Sequence, residues 1–331
     1  MNRLVAWAGN PYFAHAMRGL GCDPVVLPPA AKLSWSDILA CCGRVPDLFI
    51  YGDVSAPPFL QGVEAYPCPT VFYAIDTHIH SWYPLYAQAF DLCCVAMRDH
   101  LPLFLNQRLG PRQVRWLPLF SREQDRPMPE AGPVADEVLF VGKNDPDLTP
   151  VRYRFLQELA RRVPLAVRQG SYPELYARAS LVLNVSEHKD LNFRVFEALG
   201  CGACLLTPRV GHGLAELFRD GEELFIYDPS AMDDLVGLIE ALLADPRRRE
   251  RVAGQGRAAV LRGHQAMDRA RDLCLWMNSM DLEILANARL AAKDQIRAWL
   301  RVAYLHFAEA EGNELRARMY LRDFAGSGQP R

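Results

Sequence analysis

The chain lacks a long apolar run: nothing approaches the roughly 18 consecutive residues that crossing a bilayer takes, so no integral membrane segment is expected. The Met1-Asn2-Arg3 opening leads into a short strand-like stretch and not the core of an export signal, and a cytoplasmic protein is the expectation. Charge of one sign is also lacking. The 37 Lys and Arg stand against 39 Asp and Glu, without the basic excess that phosphate-backbone binding requires, which argues against nucleic acid as a partner. Nor do the nine cysteines suggest a disulfide framework. Their number is odd and they sit in apolar segments such as Leu92-Cys93-Cys94-Val95, as reduced core thiols do. Cys201-Gly202-Ala203-Cys204 has the spacing of a redox or zinc pair, but no second pair or histidine pair completes a metal site. Core packing at a helix-to-strand turn is expected there, with no metal and no other cofactor.

What is present is ordinary globular material: half of the residues are hydrophobic and 23% charged, in a chain of 331 residues that allows about two domains. Short β-branched and aromatic runs recur at Leu4–Trp7, Val25–Leu27, Leu48–Tyr51, Thr70–Ile75, Leu92–Met97 and Val114–Leu117. They alternate with segments able to form helices, the pattern of a doubly wound parallel sheet. A Pro-, Arg- and acid-rich stretch follows Phe120, and a second series of strands and helices starts at Glu137. The reading is α/β: an N-terminal Rossmann-like domain over 1–122, a linker over 123–135, and a second Rossmann-like domain over 136–279. Two such domains facing a cleft place ligands at the carboxyl ends of their sheets. Residues 280–331 read as a helical tail resembling one tetratricopeptide-like hairpin, which cannot bury its own face and must dock on the body or on a partner protein.

The most informative segment runs from Leu183 to Ala203. A strand ends at Val185, a polar loop follows, and a helix starts near Asn192 and ends at Gly200. The N-terminus of such a helix offers unpaired N–H groups and partial positive charge to a diphosphate, with Arg194 in its first turn as a forked donor. Glu197 lies one turn on, nearly above Arg194, where a carboxylate can accept from both hydroxyls of a ribose. The alternative for this pair is a surface ion pair at i,i+3.

This segment resembles the nucleotide-binding domain of group 1 glycosyltransferases, in particular the bacterial branch of spore-maturation CgeB-type proteins, whose pattern Leu-Asn-x-Arg-x-Phe-Glu and then Gly-Cys-Gly is matched by Leu191–Gly202. Phe140-Val141-Gly142-Lys143-Asn144 is similar to the glycine turn after that domain's first strand. Gly211 to Glu223 is similar to its Gly-Leu-x-Glu and Asp-Gly-Glu stretch. The resemblance implies the GT-B fold and metal-independent hexosyl transfer from a UDP-, GDP- or dTDP-sugar. It implies donor contacts at Gly142, Lys143, Lys189, Asn192, Arg194, Glu197 and His212. One departure stands out: retaining relatives carry Glu-x7-Glu, and the position eight before Glu197 is Lys189.

In the first half, Tyr73 to Tyr83 follows a strong strand and places Asp76, His78 and His80 at a sheet's carboxyl end. This stretch resembles the Asp-x-His of CgeB-like proteins. Asp76 or His78 is a candidate base for deprotonating an acceptor hydroxyl, and His15, after the Gly9-Asn10 turn, is a second. The acceptor is a sugar, a lipid-linked sugar or a protein. Two other functions remain at this stage: a non-catalytic adaptor working through the helical tail, and a nucleotide-sugar 2-epimerase, for which the additional acids and histidines are not found.

Overall fold

The computed structural model describes residues 2–29, 32–60, 62–105, 107–128, 135–312 and 314–325. They form two compact units, Met1–Pro118 with Arg269–Arg331 and, between them in sequence, Leu119–Asp268.

The first unit opens with β1 (Arg3–Gly9), β2 (Cys22–Val26), β3 (Leu48–Gly52), β4 (Thr70–Ala74), β5 (Leu92–Val95) and β6 (Val114–Trp116). All pair in parallel, in the order β2-β1-β3-β4-β5-β6. Strands covered on both faces need continuous apolar runs, and every residue of β3, β4 and β5 is buried. Helices α1 (Trp35–Cys42), α2 (Tyr83–Tyr86) and α3 (Leu101–Phe104) lie in the connections. A capping box starts α1, in which Ser34 and Asp37 satisfy each other's backbone N–H groups.

The second unit holds β7 (Asp136–Val141), β8 (Leu165–Arg168), β9 (Ala179–Leu183), β10 (Leu205–Pro208) and β11 (Phe225–Tyr227), parallel in the order β11-β10-β9-β7-β8. Its helices are α4 (Pro150–Leu159), α5 (Tyr172–Tyr176), α6 (Phe193–Gly200), α7 (Leu214–Leu217), α8 (Met232–Ala244) and α9 (Pro246–Gly263). Strand order reverses between β1 and β3 in the first sheet and between β7 and β9 in the second. At such switch points the loops leaving adjacent strands diverge and leave a crevice at the carboxyl ends.

The chain returns to the first unit within α10 (Ala266–Asn278) and continues through α11 (Leu282–Ala291), α12 (Lys293–Ala310) and α13 (Glu314–Ala325). These helices belong to the first unit because they are bonded into it. The buried Arg269 donates to the Pro118 carbonyl at 2.8 Å. Arg289, fully buried, pairs with the equally buried Asp91 at 3.0 Å and donates its remaining N–H groups to the carbonyls of Val63, Glu64, Tyr66 and Cys68. A buried guanidinium with every donor matched is tolerated, whereas removing one partner costs about 3–5 kcal/mol. On α12 the buried residues Ile296, Leu300, Ala303 and Phe307 recur at helical spacing. The Phe307 ring meets Trp82 edge-on at 4.6 Å.

The tail expected to need a docking surface therefore finds one on its own chain. The boundaries differ from those drawn on composition: 269–279 goes with the first unit, and 119–128 with the second. The Pro-rich stretch is anchored where it is described. Ser121 donates its N–H to the His264 carbonyl at 2.8 Å, and the Asp125 carboxylate accepts from Arg122 N at 2.7 Å and from the Tyr172 hydroxyl at 2.6 Å. A side chain at Gly200 would lie 2.3 Å from Ser121 Oγ, so the glycine ending α6 is what lets this segment pass. Residues 129–134 of the expected linker lie outside the described residues.

Candidate functional site

In the second unit, α6 follows β9 at the switch point, with Val195, Phe196, Ala198 and Leu199 forming its buried face. Asn192 is its N-cap residue; its side chain donates to Asn184 Oδ1 at 3.2 Å and does not cap the helix. Arg194 bridges the two strands that diverge there, donating to the Val141 carbonyl at 3.1 Å and to Asn184 Oδ1 at 2.8 Å. Its guanidinium lies 4.9 Å from the Phe140 ring centroid, and that of Arg152 lies 5.6 Å from the same ring. Gly142 makes room for this: with φ of 152° and an added Cβ only 2.8 Å from Arg194 Nη2, it admits no side chain. Burial, and then Arg194 beside it, pull the Arg152 guanidinium below its ordinary value. Exposed Lys143 and Lys189 lie in the loops after β7 and β9, and with Arg194 and Arg152 they bring four cations to these loops alongside the acids Asp145, Glu187 and Asp190. Among the described residues, Asn144 Oδ1, Arg152 Nε and Asn192 Oδ1 are buried without a hydrogen-bond partner.

Glu197 does not pair with Arg194. Its carboxylate sits 3.9 Å from Arg122 Nη1 with 14% of the side chain exposed, and the Arg122 guanidinium lies over the Phe193 ring at 4.7 Å. Burial pushes the Glu197 carboxyl up to about 7, with Asp125 adding to the shift and Arg122 and Arg194 opposing it. Lys189 and His212 adopt left-handed backbone, φ 61° and 59°. Strained non-glycine residues of this kind persist where the surroundings impose them, often beside ligands, at about 1–3 kcal/mol each. Glu187, two residues before Lys189 at the position of the absent first acid, caps α4 instead, accepting from Val151 N at 3.0 Å and Arg152 N at 2.8 Å. Cys201 and Cys204 are buried between α6 and β10, both thiols pushed up to about 12 by burial.

In the first unit, one buried carboxylate organises the carboxyl ends of β3 and β4. Asp53, 1% exposed, accepts from Ser55 N at 2.6 Å, Ile75 N at 2.9 Å, Asp76 N at 2.8 Å and the Tyr83 hydroxyl. Its backbone carbonyl accepts from the Asn10 amide at 2.8 Å and the Tyr12 hydroxyl at 2.7 Å, which ties in the loop after β1. Asp76 is thereby held at the sheet end. Burial raises its carboxyl above the ordinary value, while a hydrogen bond from Ser55 and the nearby His78 and His80 oppose the shift. Ser55 Oγ also lies 3.2 Å from His80 Nε2. His15 is not brought into this cluster: it opens a 3-10 turn over His15–Leu20 and is exposed.

Sequence reading missed Asp53, Ser55, Arg122, Asp125 and Tyr172. A signal existed for Asp53, an acid directly following the apolar run Leu48–Gly52. None existed for Arg122 and Asp125, which sit in a stretch whose composition reads as linker.

Two parallel-sheet Rossmann-like units, each with a switch point, define the GT-B class of fold. Comparison with known proteins agrees. Residues 141–274 match the model of a family described as glycosyl transferase-like. Sucrose-phosphate synthase from Thermosynechococcus elongatus is 14% identical, covering 84% of this chain and 99% of its own, with a TM-score of 0.59. A glycosyltransferase from Rickettsia africae is 8% identical over 84% and 98% of the two chains, TM-score 0.58. HepE of Anabaena, solved with UDP and glucose, is 12% identical over 84% and 100%, TM-score 0.55. At these identities the solved structures establish the fold. No curated protein matches the sequence. Among the described residues, no helix is long and apolar enough to cross a membrane.

Proposed function

We propose that the protein is a glycosyltransferase that moves a hexosyl group from a nucleotide sugar to an acceptor hydroxyl without a metal ion. The observation that carries this reading is the family match over residues 141–274, the span that contains Gly142, α6 and Glu197. In this reading the positive charge at the ends of β7 and β9 receives the diphosphate, and Glu197 accepts from the ribose hydroxyls. HepE was solved with UDP and glucose, which puts UDP-sugars first among the donors to try. A CgeB-type relationship, suggested by Leu191–Gly202, belongs to the same proposal.

The first unit supplies the acceptor end. Asp76, fixed by Asp53 and flanked by His78 and His80, takes the acceptor's hydroxyl proton. The acceptor oxygen bonds to the sugar's anomeric carbon as the bond from that carbon to the diphosphate oxygen breaks, and the nucleoside diphosphate leaves with the electron pair. Charge developing on the leaving diphosphate is met by the N-terminus of α6 and by Lys143 and Lys189, so a bound metal is not needed for this step. An adaptor acting through the tail finds less support, since the apolar face of α12 is buried on the chain's own first unit.

The test is incubation of the purified protein with UDP-, GDP-, dTDP- and CMP-sugars, with and without EDTA. Nucleotide release from one donor, unchanged by EDTA and reduced in Glu197→Ala at donor levels that saturate the wild type only partly, is expected. Failure of every donor to bind or to be cleaved would overturn the proposal.

A further inference from the structure

The first unit contains a cavity of about 490 Å3 at the carboxyl ends of β1, β2 and β3. That volume lies within the range of roughly 300–1,000 Å3 typical of small-molecule sites. Its position, beside the β1/β3 switch point, is where a parallel sheet leaves room for a ligand. Leu27, Pro29, Val54, Ala56, Pro57 and Phe59 supply its walls, and Tyr320 and Arg316 of α13 supply another side. The tail therefore completes the cavity as well as stabilising the unit.

Two of the polar side chains of this lining, Asn10 and Tyr320, donate to main-chain carbonyls, and the third, Arg316, faces an acid. The Asn10 amide donates to the Asp53 carbonyl at 2.8 Å and lies 3.2 Å from the Tyr12 hydroxyl. The Tyr320 hydroxyl donates to the Pro58 carbonyl at 2.9 Å, and Arg316 faces Glu311 at 3.5 Å. A sugar ring needs several side-chain donors and acceptors turned toward it, and loses hydration without them. Rigid proline rings, branched aliphatics and one phenyl group instead reward an apolar body.

We propose that this cavity binds the apolar portion of the acceptor, an alkyl or aryl alcohol, and that α13 is part of the acceptor site. The acceptor role rests on the transferase reading above; the preference for an apolar ligand rests on the cavity alone.

Isothermal titration of the full chain with n-alkanols and 4-alkylphenols, with glucose and maltose as polar controls, tests it. Affinity should rise about fourfold per added methylene, the fold-change expected for burying one such group. Binding by alkanols marks a lipid-like acceptor, and binding by phenols alone marks an aromatic one. Ala56→Leu, which fills the cavity, and Ala56→Asp, which places a carboxylate in it, should each weaken binding at least tenfold and leave UDP binding unchanged. Should Ala56→Asp fail to fold, Ala56→Leu carries the same test. Absence of alcohol binding, no dependence on alkyl length, or equal binding of the polar controls, with UDP binding intact, would overturn the apolar site alone. Tight alcohol binding by a protein that takes up no nucleotide would overturn the acceptor role and the transferase reading together.

Discussion

Each unit holds a largely buried carboxylate, and the two are treated in opposite ways. Asp53 in the first unit accepts from three backbone N–H groups and a tyrosine hydroxyl; Glu197 in the second has one guanidinium at 3.9 Å and is pushed up to about 7 by burial. A carboxylate surrounded by its own chain's donors is a strut, and it fixes the loops after β1, β3 and β4. One that is buried with its acceptor capacity unfilled is suited to a ligand that brings hydroxyl donors. Asp53, directly after β3, is held by the fold, whereas Glu197, in the second turn of α6, is left with a single guanidinium neighbour, as the proposed binding role requires.

Substitutions at Asp76, Asp53 and Glu197 separate the roles of the two units. Asp76→Asn keeps the shape but removes the proposed base, and turnover should fall between about 100-fold and 10,000-fold while donor binding stays the same; initial rates and donor titrations separate the two. Asp53→Ala leaves four donors without their acceptor, and should cost about 3 kcal/mol or more in urea denaturation, since each orphaned buried donor costs about 1–3 kcal/mol. Glu197→Ala should leave the fold intact and weaken nucleotide binding about 10- to 100-fold, the range for hydrogen bonds to a charged group. If Asp53→Ala proved mild and Glu197→Ala unfolded the protein, the two roles would have been assigned the wrong way round.

The smallest effect is in pH. The folded Glu197 carboxyl titrates near 7 in place of its ordinary 4.5, so below about 4.5 it is neutral in both states and burial carries no charge penalty. As pH rises from about 4.5 to about 7 the unfolded chain ionises first, and stability falls. Glu197→Gln should therefore melt close to wild type at pH 4.5 and above it at pH 8. If Glu197 accepts from ribose hydroxyls as proposed, they favour its ionised form, and nucleotide affinity should improve up to about tenfold between pH 6 and pH 8.

Much of the fold was legible because parallel strands buried on both faces leave unbroken apolar runs. The six runs of the first half and those from Glu137 to Tyr227 correspond to β1–β11 within a few residues. Leu191–Gly202 was legible because a helix with a loaded first turn and a terminal glycine has a recognisable spacing. What the sequence concealed was long-range. Nothing around Arg289 announces that its partner is Asp91, 198 positions earlier, and so the return of α10–α13 to the first unit was hidden. Arg194 read as a free phosphate donor, yet its bonds to Val141 and Asn184 make it first of all a brace between β7 and β9. Arg122 and Asp125 were hidden by composition, because a Pro- and charge-rich stretch looks like linker until it is seen against α6.

The most direct test of the account is calorimetric titration of UDP, GDP and dTDP into wild type and Glu197→Ala at pH 6 and pH 8. One nucleotide should bind, more tightly at pH 8, with proton release near pH 6 that disappears in the variant. Equal binding by wild type and Glu197→Ala, or binding of no nucleotide at either pH, would contradict it.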